Sequence, residues 1–327
     1  MLILVLISLG TGAVSVPPAV VWAIFKYKLG LGGNEAFTAQ ELAICWTIRL
    51  PRVLLAAFAG AGLSISGAGM QALFRNPLAA PSLIGVSTGS ALGAVTGILA
   101  GGALGLGILA LPLFAFVGGW AATMVVYRLS LIGGQSRVST LLLAGIAINA
   151  LAGAGIGLAL YFADDSQLRN ITFWNLGSVA GANWQVAGIA ALIVGIGTLG
   201  LTAMAHPLNA MVMGEDTALH LGVPVEWIKR GVILCVALVS GGLTAFTGVI
   251  GFMGLVVPHI VRLSIGPDLR YVAPASALVG AALLLAGDLL ARTVIAPAEL
   301  PLGVITALIG APFFLWLLIC QKNRTDA

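Results

Sequence analysis

Charge is scarce in this chain. Fifteen Lys and Arg and 11 Asp and Glu make up only 8% of 327 residues, whereas about a quarter of an ordinary soluble domain is charged. The three cysteines, Cys45, Cys235 and Cys320, lie far apart without CxxC or metal-ligand spacing, so they read as small apolar residues. No GxxxxGK[ST] loop occurs, which excludes nucleotide binding by that route, and there is no HExxH, paired-carboxylate or Ser-His-Asp constellation. Catalysis within the chain is not expected, and no metal site is. The net charge of +4 comes without a basic cluster, so it does not point to a nucleic-acid partner.

What the chain has instead is apolar length. It is 60% hydrophobic, with a mean hydropathy of +1.10. Apolar runs fall near 1–12, 53–74, 83–106, 108–128, 139–162, 186–205, 231–248, 250–265, 273–295 and 301–320. A helix needs about 20 such residues to cross a bilayer, so the expectation is an all-α polytopic membrane protein of about ten spans. No repeat and no Pro- or Ser-rich linker divides it, and residues 1–327 are read as one domain. The 44 glycines suit close helix packing in lipid, and one stands at every fourth position of Gly85, Gly89, Gly93, Gly97, Gly101 and Gly105. Pro17 and Pro18 interrupt the first run. Residues 1–10 are too short to span and carry no basic leader, so the start is expected to lack part of a helix.

An N-terminus inside puts Arg75, Arg128, Arg137, Lys229, Arg230, Arg262, Arg270, Lys322 and Arg324 in the cytoplasm. Lys26, Lys28, Arg49, Arg52, Arg169 and Arg292 then lie outside, a bias of the right sign for the positive-inside rule. Within the cytoplasmic set, residues 206–230 form a polar island between two apolar runs, with His206, Glu215, Asp216, His220, Glu226, Lys229 and Arg230. Asp216 can cap a short helix, Gly222 can end it, and Pro224 can open a second. Two short amphipathic helices on a tight turn suit a docking surface for a soluble partner.

The string TIRLPRVLLAAFAGAGLSISGAGMQALFRNPLAAPSL is followed by GEDTALHLGVPV, GFMGLVVPHIVRL, AGDLLAR and APAELPLGVITALIGAPFFLWLL. In this order, over about residues 45–320, the motifs resemble the membrane permeases of the cobalamin, ferric-siderophore and haem ATP-driven importers. The resemblance implies ten helices, a homodimer, two ATP-binding subunits, and a periplasmic or extracellular substrate-binding protein. It implies a multi-pass protein of the bacterial inner (cytoplasmic) membrane, in contact with lipid. No cofactor is expected on this chain: ATP and Mg belong to the partner subunits, and haem is cargo.

By motif, Gly214, Glu215, Asp216, Ala218, Leu221, Gly222 and Val223 resemble the family's coupling loop, seated in a cleft of the ATPase. Arg49, Arg52 and Arg292 resemble docking cations for carboxylates of the binding protein, a task that suits the bidentate guanidinium; interfacial snorkelling is the plain alternative. Asn76 and Leu78 match positions at the cytoplasmic gate, and Val138 and Ser139 a second gate, where some relatives carry a small hydroxyl residue in place of Val138. A turn on Pro77 is the structural alternative.

The segment 161–184, YFADDSQLRNITFWNLGSVAGANW, resembles the short outer helix at the mouth of the path, and its wording is nearest the haem importers. Arg169 would attract propionates, with Phe173 and Trp174 against a flat macrocycle. His206, His220 and His259 fall on the inner side and are not expected to ligate haem at the mouth. Haem is the expected cargo, with a ferric siderophore or cobalamin as alternatives. A coupled secondary transporter, the competing class, needs ionisable groups at mid-membrane, for which Asp288 is the sole candidate; Asp288 can also pair with Arg292 four residues on.

Overall fold

Leu50–Leu73 carries Ala, Gly or Ser on every face, so neighbouring backbones approach it from all sides. In the computed structural model, which describes residues 1–12, 14–32, 36–100 and 110–325, this segment is the central helix α4, and nearly all of it is buried. Before it, α1 (Leu2–Gly10) and α2 (Pro18–Lys28) are separated at Pro17, as the prolines predict. The short α3 (Ala39–Leu42) runs into a π-helical turn, Ala43–Arg49. That wide turn ends just before Pro51, which has no N–H to give to the turn behind it.

After a 3-10 turn at Pro81–Ile84 come α5 (Val86–Ala100) and α6 (Ala110–Leu129). A two-residue hairpin follows, with β1 (Leu131–Ile132) antiparallel to β2 (Gln135–Ser136) and Leu131 opposite Ser136. Gly133 and Gly134 form its turn with φ of 61° and 82°, the left-handed pair such a turn requires. The chain continues through α7 (Val138–Phe162), α8 (Asp165–Leu176), α9 (Trp184–Ala203), α10 (Ala205–Val212) and α11 (Glu215–His220). It ends with α12 (Val225–Thr247), α13 (Met253–Ile265), α14 (Leu269–Thr293) and α15 (Leu302–Thr325).

Among the described residues, six helices are long and apolar enough to cross a membrane, α3 through α4 counting as one; α5, α13 and Leu302–Trp316 of α15 are shorter apolar helices. The expected all-α architecture is therefore present, with shifted ends. The largest shift is in α12, which starts at Val225 inside the polar island rather than at 231. Another is in α13, whose 13 residues cover only about 20 Å of a hydrocarbon core about 30 Å thick. Non-helical residues 248–252 precede it, and Val249, Ile250, Gly251 and Phe252 line a cavity of about 430 Å³ with Ser82, Ser87, Thr88 and Ser240. Irregular backbone is tolerated at membrane depth only where protein or such a cavity receives its polar groups.

Four helices meet α4 at its small residues. Gly62 and Gly69 face Val194 and Leu201 of parallel α9, and Val239 and Val232 of antiparallel α12. Gly60 meets Gly280 of antiparallel α14 backbone to backbone, and Gly67 meets Gly254 of α13 in the same way. The α5 glycines behave as their spacing suggests: Gly89, Gly93 and Gly97 pack on Phe114, Gly118 and Ala122 of α6. Gly85 also faces Ala122 and Val126 of α6, while at φ 82° it caps the preceding 3-10 turn. Gly101 and Gly105 lie outside the described residues.

A Cβ at position 67 would overlap the Gly254 carbonyl, whereas Gly157 has nothing within 4 Å. Gly67→Val is expected to destabilise the protein by roughly 3 kcal/mol or more, because the backbone of α13 must move. Gly157→Ala should be neutral or gain about 0.5 kcal/mol. Thermal unfolding in detergent measures both, and a Gly67→Val protein that melts with the parent would remove the close crossing.

Candidate functional site

The polar island folds into a block at one end of the bundle. Its two short helices are α10 and α11, joined at Gly214, whose φ of 128° makes the tight entry to α11. This corrects two expectations. Gly214, not Asp216, is the cap residue, and Pro224 opens the long α12 rather than a second short helix. Glu215 and Asp216 lie in the first turn of α11, where carboxylates meet the positive end of the helix. Gly222 closes the helix at φ 78°, and the Val223 N–H returns to the Ala218 carbonyl at 3.0 Å. Ala218 is buried under the turn, while Val212, Met213, Leu219 and Leu221 stand exposed. The block thus presents an apolar knob, as two amphipathic helices allow.

Two buried contacts tie this block to the hairpin. The Lys229 ammonium, almost wholly buried, donates to Glu215 Oε2 at 2.6 Å and to the Ser136 carbonyl at 2.7 Å. Glu226 accepts from the Tyr127 hydroxyl at 2.9 Å, and from both the Ser136 N–H and hydroxyl at 2.9 Å. Such charge-assisted bonds are the strong ones. Val138, half-buried, and Ser139, exposed, begin α7 immediately after Ser136.

A third contact ties α10 to α14: the Asn209 amide donates to Asp268 at 2.6 Å and its oxygen accepts from the Leu269 N–H at 2.9 Å. The Arg270 guanidinium and its backbone N–H, together with Asn209, hold the Asp268 carboxyl well below the usual carboxylate range. Asn76 and Leu78 follow α4 on an exposed turn in which Asn76 Oδ1 accepts from the Leu78 N–H at 2.9 Å.

At the other end of α4 the arginines depart from expectation. Arg49 and Arg292 are 6% and 8% exposed, too buried to serve as free docking cations. The Arg49 guanidinium donates to the Leu9 carbonyl at 2.7 Å and to the Val14 carbonyl. Arg292 donates to the Ser8 carbonyl at 2.5 Å, to the Ser8 hydroxyl, and to the Thr11 carbonyl at 3.1 Å. The last carbonyls of a helix have no partners within it and carry its negative pole; the two arginines cap α1.

Arg52 is sandwiched between carboxylates. It donates to Asp288 at 2.8 Å and to Glu299 at 2.8 Å, with the Glu299 side chain 40% exposed. Asp288 is 1% exposed and also pairs with Arg292 at 3.6 Å. Held between two guanidiniums, its carboxylate is occupied structurally.

Helix α8 starts with the reciprocal capping pair Asp164 and Gln167. Arg169 and Phe173, four residues apart, share an exposed face. Trp174 does not join them: it packs beside Ala94, Ala115 and Ala245, a correction to its expected place against cargo. His206 and His220 are exposed on α10 and α11, and His259 is buried in α13 beside Phe313 and Phe314.

A family model described as the FecCD transport family matches residues 1–320. The chain belongs to the FecCD transport family.

It is 42% identical to the hemin transport system permease protein HmuU of Yersinia pestis over 99% of this chain and 95% of that protein. It is 43% identical to the cobalamin import system permease protein BtuC of Halobacterium salinarum, over 88% of this chain and 76% of that protein. A solved structure of a metal-chelate type ABC transporter in an inward-facing conformation superposes with a TM-score of 0.85 at 30% identity, covering 97% of this chain and 96% of that one. The chain is thus a permease subunit of an ABC importer, a multi-pass membrane protein whose family works with ATP-binding subunits and a substrate-binding protein.

Sequence reasoning picked out this polar block but missed the groups that anchor it. Tyr127, Ser136, Glu226 and Lys229 come together only through the fold, since Lys229 and Ser136 are 93 positions apart. The one local signal was a lysine and an acid a single turn apart near the start of an apolar helix. Lys229→Met leaves Glu215 and a buried carbonyl without their donor. Glu215 is partly exposed and water can solvate it, so a loss of roughly 1–3 kcal/mol is expected. Thermal unfolding of Lys229→Met beside Lys26→Met tests this; equal melting temperatures would show that the tie contributes nothing.

Proposed function

We propose that the chain is the non-catalytic membrane subunit of a bacterial inner-membrane importer that carries haem from an outer binding protein to the cytoplasm by alternating access. The observation that carries the haem reading is the 42% identity to the hemin permease across nearly the full length of both chains. The face shared by Arg169 and Phe173 adds to it, since a cation and an aromatic ring suit a flat dicarboxylate. The similar identity to a cobalamin permease supports the second reading, a corrinoid or another metal chelate on the same scaffold. Selection among chelates would rest mainly with the binding protein.

Two copies of the chain would form the path. The exposed apolar face of α7, with Leu143, Ile146, Leu151 and Leu158, supports a second copy against it. Two ATP-binding subunits, holding ATP and Mg, would seat on Gly214, Glu215, Asp216, Ala218, Leu221, Gly222 and Val223, with Leu221 and Leu219 as the apolar contact. Their closure would pull on Lys229 and Glu226, and through Ser136 on Val138, Ser139 and the rest of α7; Asn76 and Leu78 would close the cytoplasmic exit. At the outer end, Arg52 is the proposed docking cation, with a partner carboxylate taking the place of exposed Glu299.

Two measurements in liposomes, with the cognate binding protein and ATPase, test the reading. Leu221→Asp puts a charge into the apolar seat and is expected to reduce binding-protein-stimulated ATP hydrolysis at least about tenfold, a loss of roughly 1.4 kcal/mol. Stimulation equal to the parent would sink the coupling assignment. Arg169→Glu is expected to slow haem uptake several-fold without loss of assembly, whereas His206→Gln, His220→Gln and His259→Gln leave it largely intact. Cobalamin or siderophore uptake by the parent without haem uptake would replace the cargo and keep the importer.

A further inference from the structure

A cavity of about 490 Å³ opens between α6 and α12 on the side of the coupling block, and none of the steps above uses it. Arg128, at the end of α6, and Arg230, near the start of α12, line it. Both are exposed, and neither enters an ion pair among the described residues. The Arg230 guanidinium lies 5.7 Å from the centre of the Trp227 ring, which is 71% exposed and lines the same cavity.

One helical turn away from the arginines, deeper toward the middle of both helices, the wall becomes apolar: Met124 on α6, Ile233 and Leu234 on α12. Glu226 is the lone carboxylate of the lining, and its oxygens already accept from Tyr127 and Ser136. Two cations therefore face one anion, and the mouth has a positive balance.

This order, cations at the cytoplasmic rim, an indole beside them and aliphatic side chains one turn deeper, matches the polarity profile of a phospholipid along the membrane normal. Basic pockets between helix ends on the cytoplasmic side are suited to anionic headgroups, and tryptophan favours the interface. We propose that the cavity binds the phosphodiester of an anionic phospholipid of the cytoplasmic leaflet between Arg128 and Arg230. One acyl chain lies over Met124, Ile233 and Leu234. The lipid would steady α12 where Glu226 and Lys229 hold the coupling block. The proposal goes beyond the transport reading and does not depend on the cargo.

Native mass spectrometry of the full-length permease, stripped of lipid and titrated with phosphatidylglycerol, phosphatidylcholine or inorganic phosphate, tests it. Arg128→Gln combined with Arg230→Gln should lower phosphatidylglycerol retention about tenfold and leave phosphatidylcholine unchanged; Arg270→Gln should change neither. Retention equal to the parent in the double variant overturns the proposal. So does displacement of phosphatidylglycerol by millimolar inorganic phosphate, which would assign the site to a free anion. Loss of a co-purifying ATPase subunit with lipid retention unchanged would give the arginines to that partner instead. Should the double variant not fold, brominated phosphatidylglycerol added to the parent should quench fluorescence more than brominated phosphatidylcholine, with the difference lost in Trp227→Phe. Equal quenching by the two lipids overturns the site.

Discussion

The rest of the structure depends on the close approach of backbones around α4. Lipid offers helices little hydrophobic reason to associate, so their packing must come from contact area and from residues small enough to allow it. Gly60 against Gly280 and Gly67 against Gly254 bring α14 and α13 within backbone contact, while Gly62 and Gly69 admit the branched side chains of α9 and α12. Once these helices are fixed on α4, their ends are fixed as well. The arginine cluster and the polar block of α10 and α11 are what gathers at the two ends.

Both ends follow one electrostatic rule: a charge that leaves water must be met by an opposite charge or by oriented dipoles. At one end Arg49 and Arg292 meet the unpaired carbonyls of α1, and Arg52 meets Asp288 and Glu299. At the other end Lys229 meets Glu215 and a carbonyl of the hairpin. The two ends differ in what they leave open. One leaves Arg52 beside the exposed Glu299 side chain, and the other leaves an apolar knob held on polar ties.

Much of the fold was legible in the sequence because the membrane imposes long apolar runs and confines charge to their ends. The helix order, the break at Pro17, the α5 glycine row from Gly89 to Gly97 and the polar block near residues 206–230 were all readable from residues near one another in the chain. Where the reading slipped, a contact distant in sequence overrode the local pattern. The helix α12 enters the polar island because buried Lys229 finds Glu215 and Ser136 there, and Trp174 leaves the exposed face of α8 because three alanines from other helices make room for it.

The sequence by itself determined that this chain lives in a membrane as a helical bundle, roughly where its long helices run, and which family it belongs to. Those properties rest on composition, periodicity and ordered motifs. Only the tertiary structure decided what each charge does. An arginine read in isolation is a free cation, but Arg49 and Arg292 become caps because the end of α1 lies beside them. Arg128 and Arg230 stay open because no carboxylate among the described residues comes to pair with them. The physical reason is that Coulomb energy depends on separation and burial, and neither is written in the order of the residues.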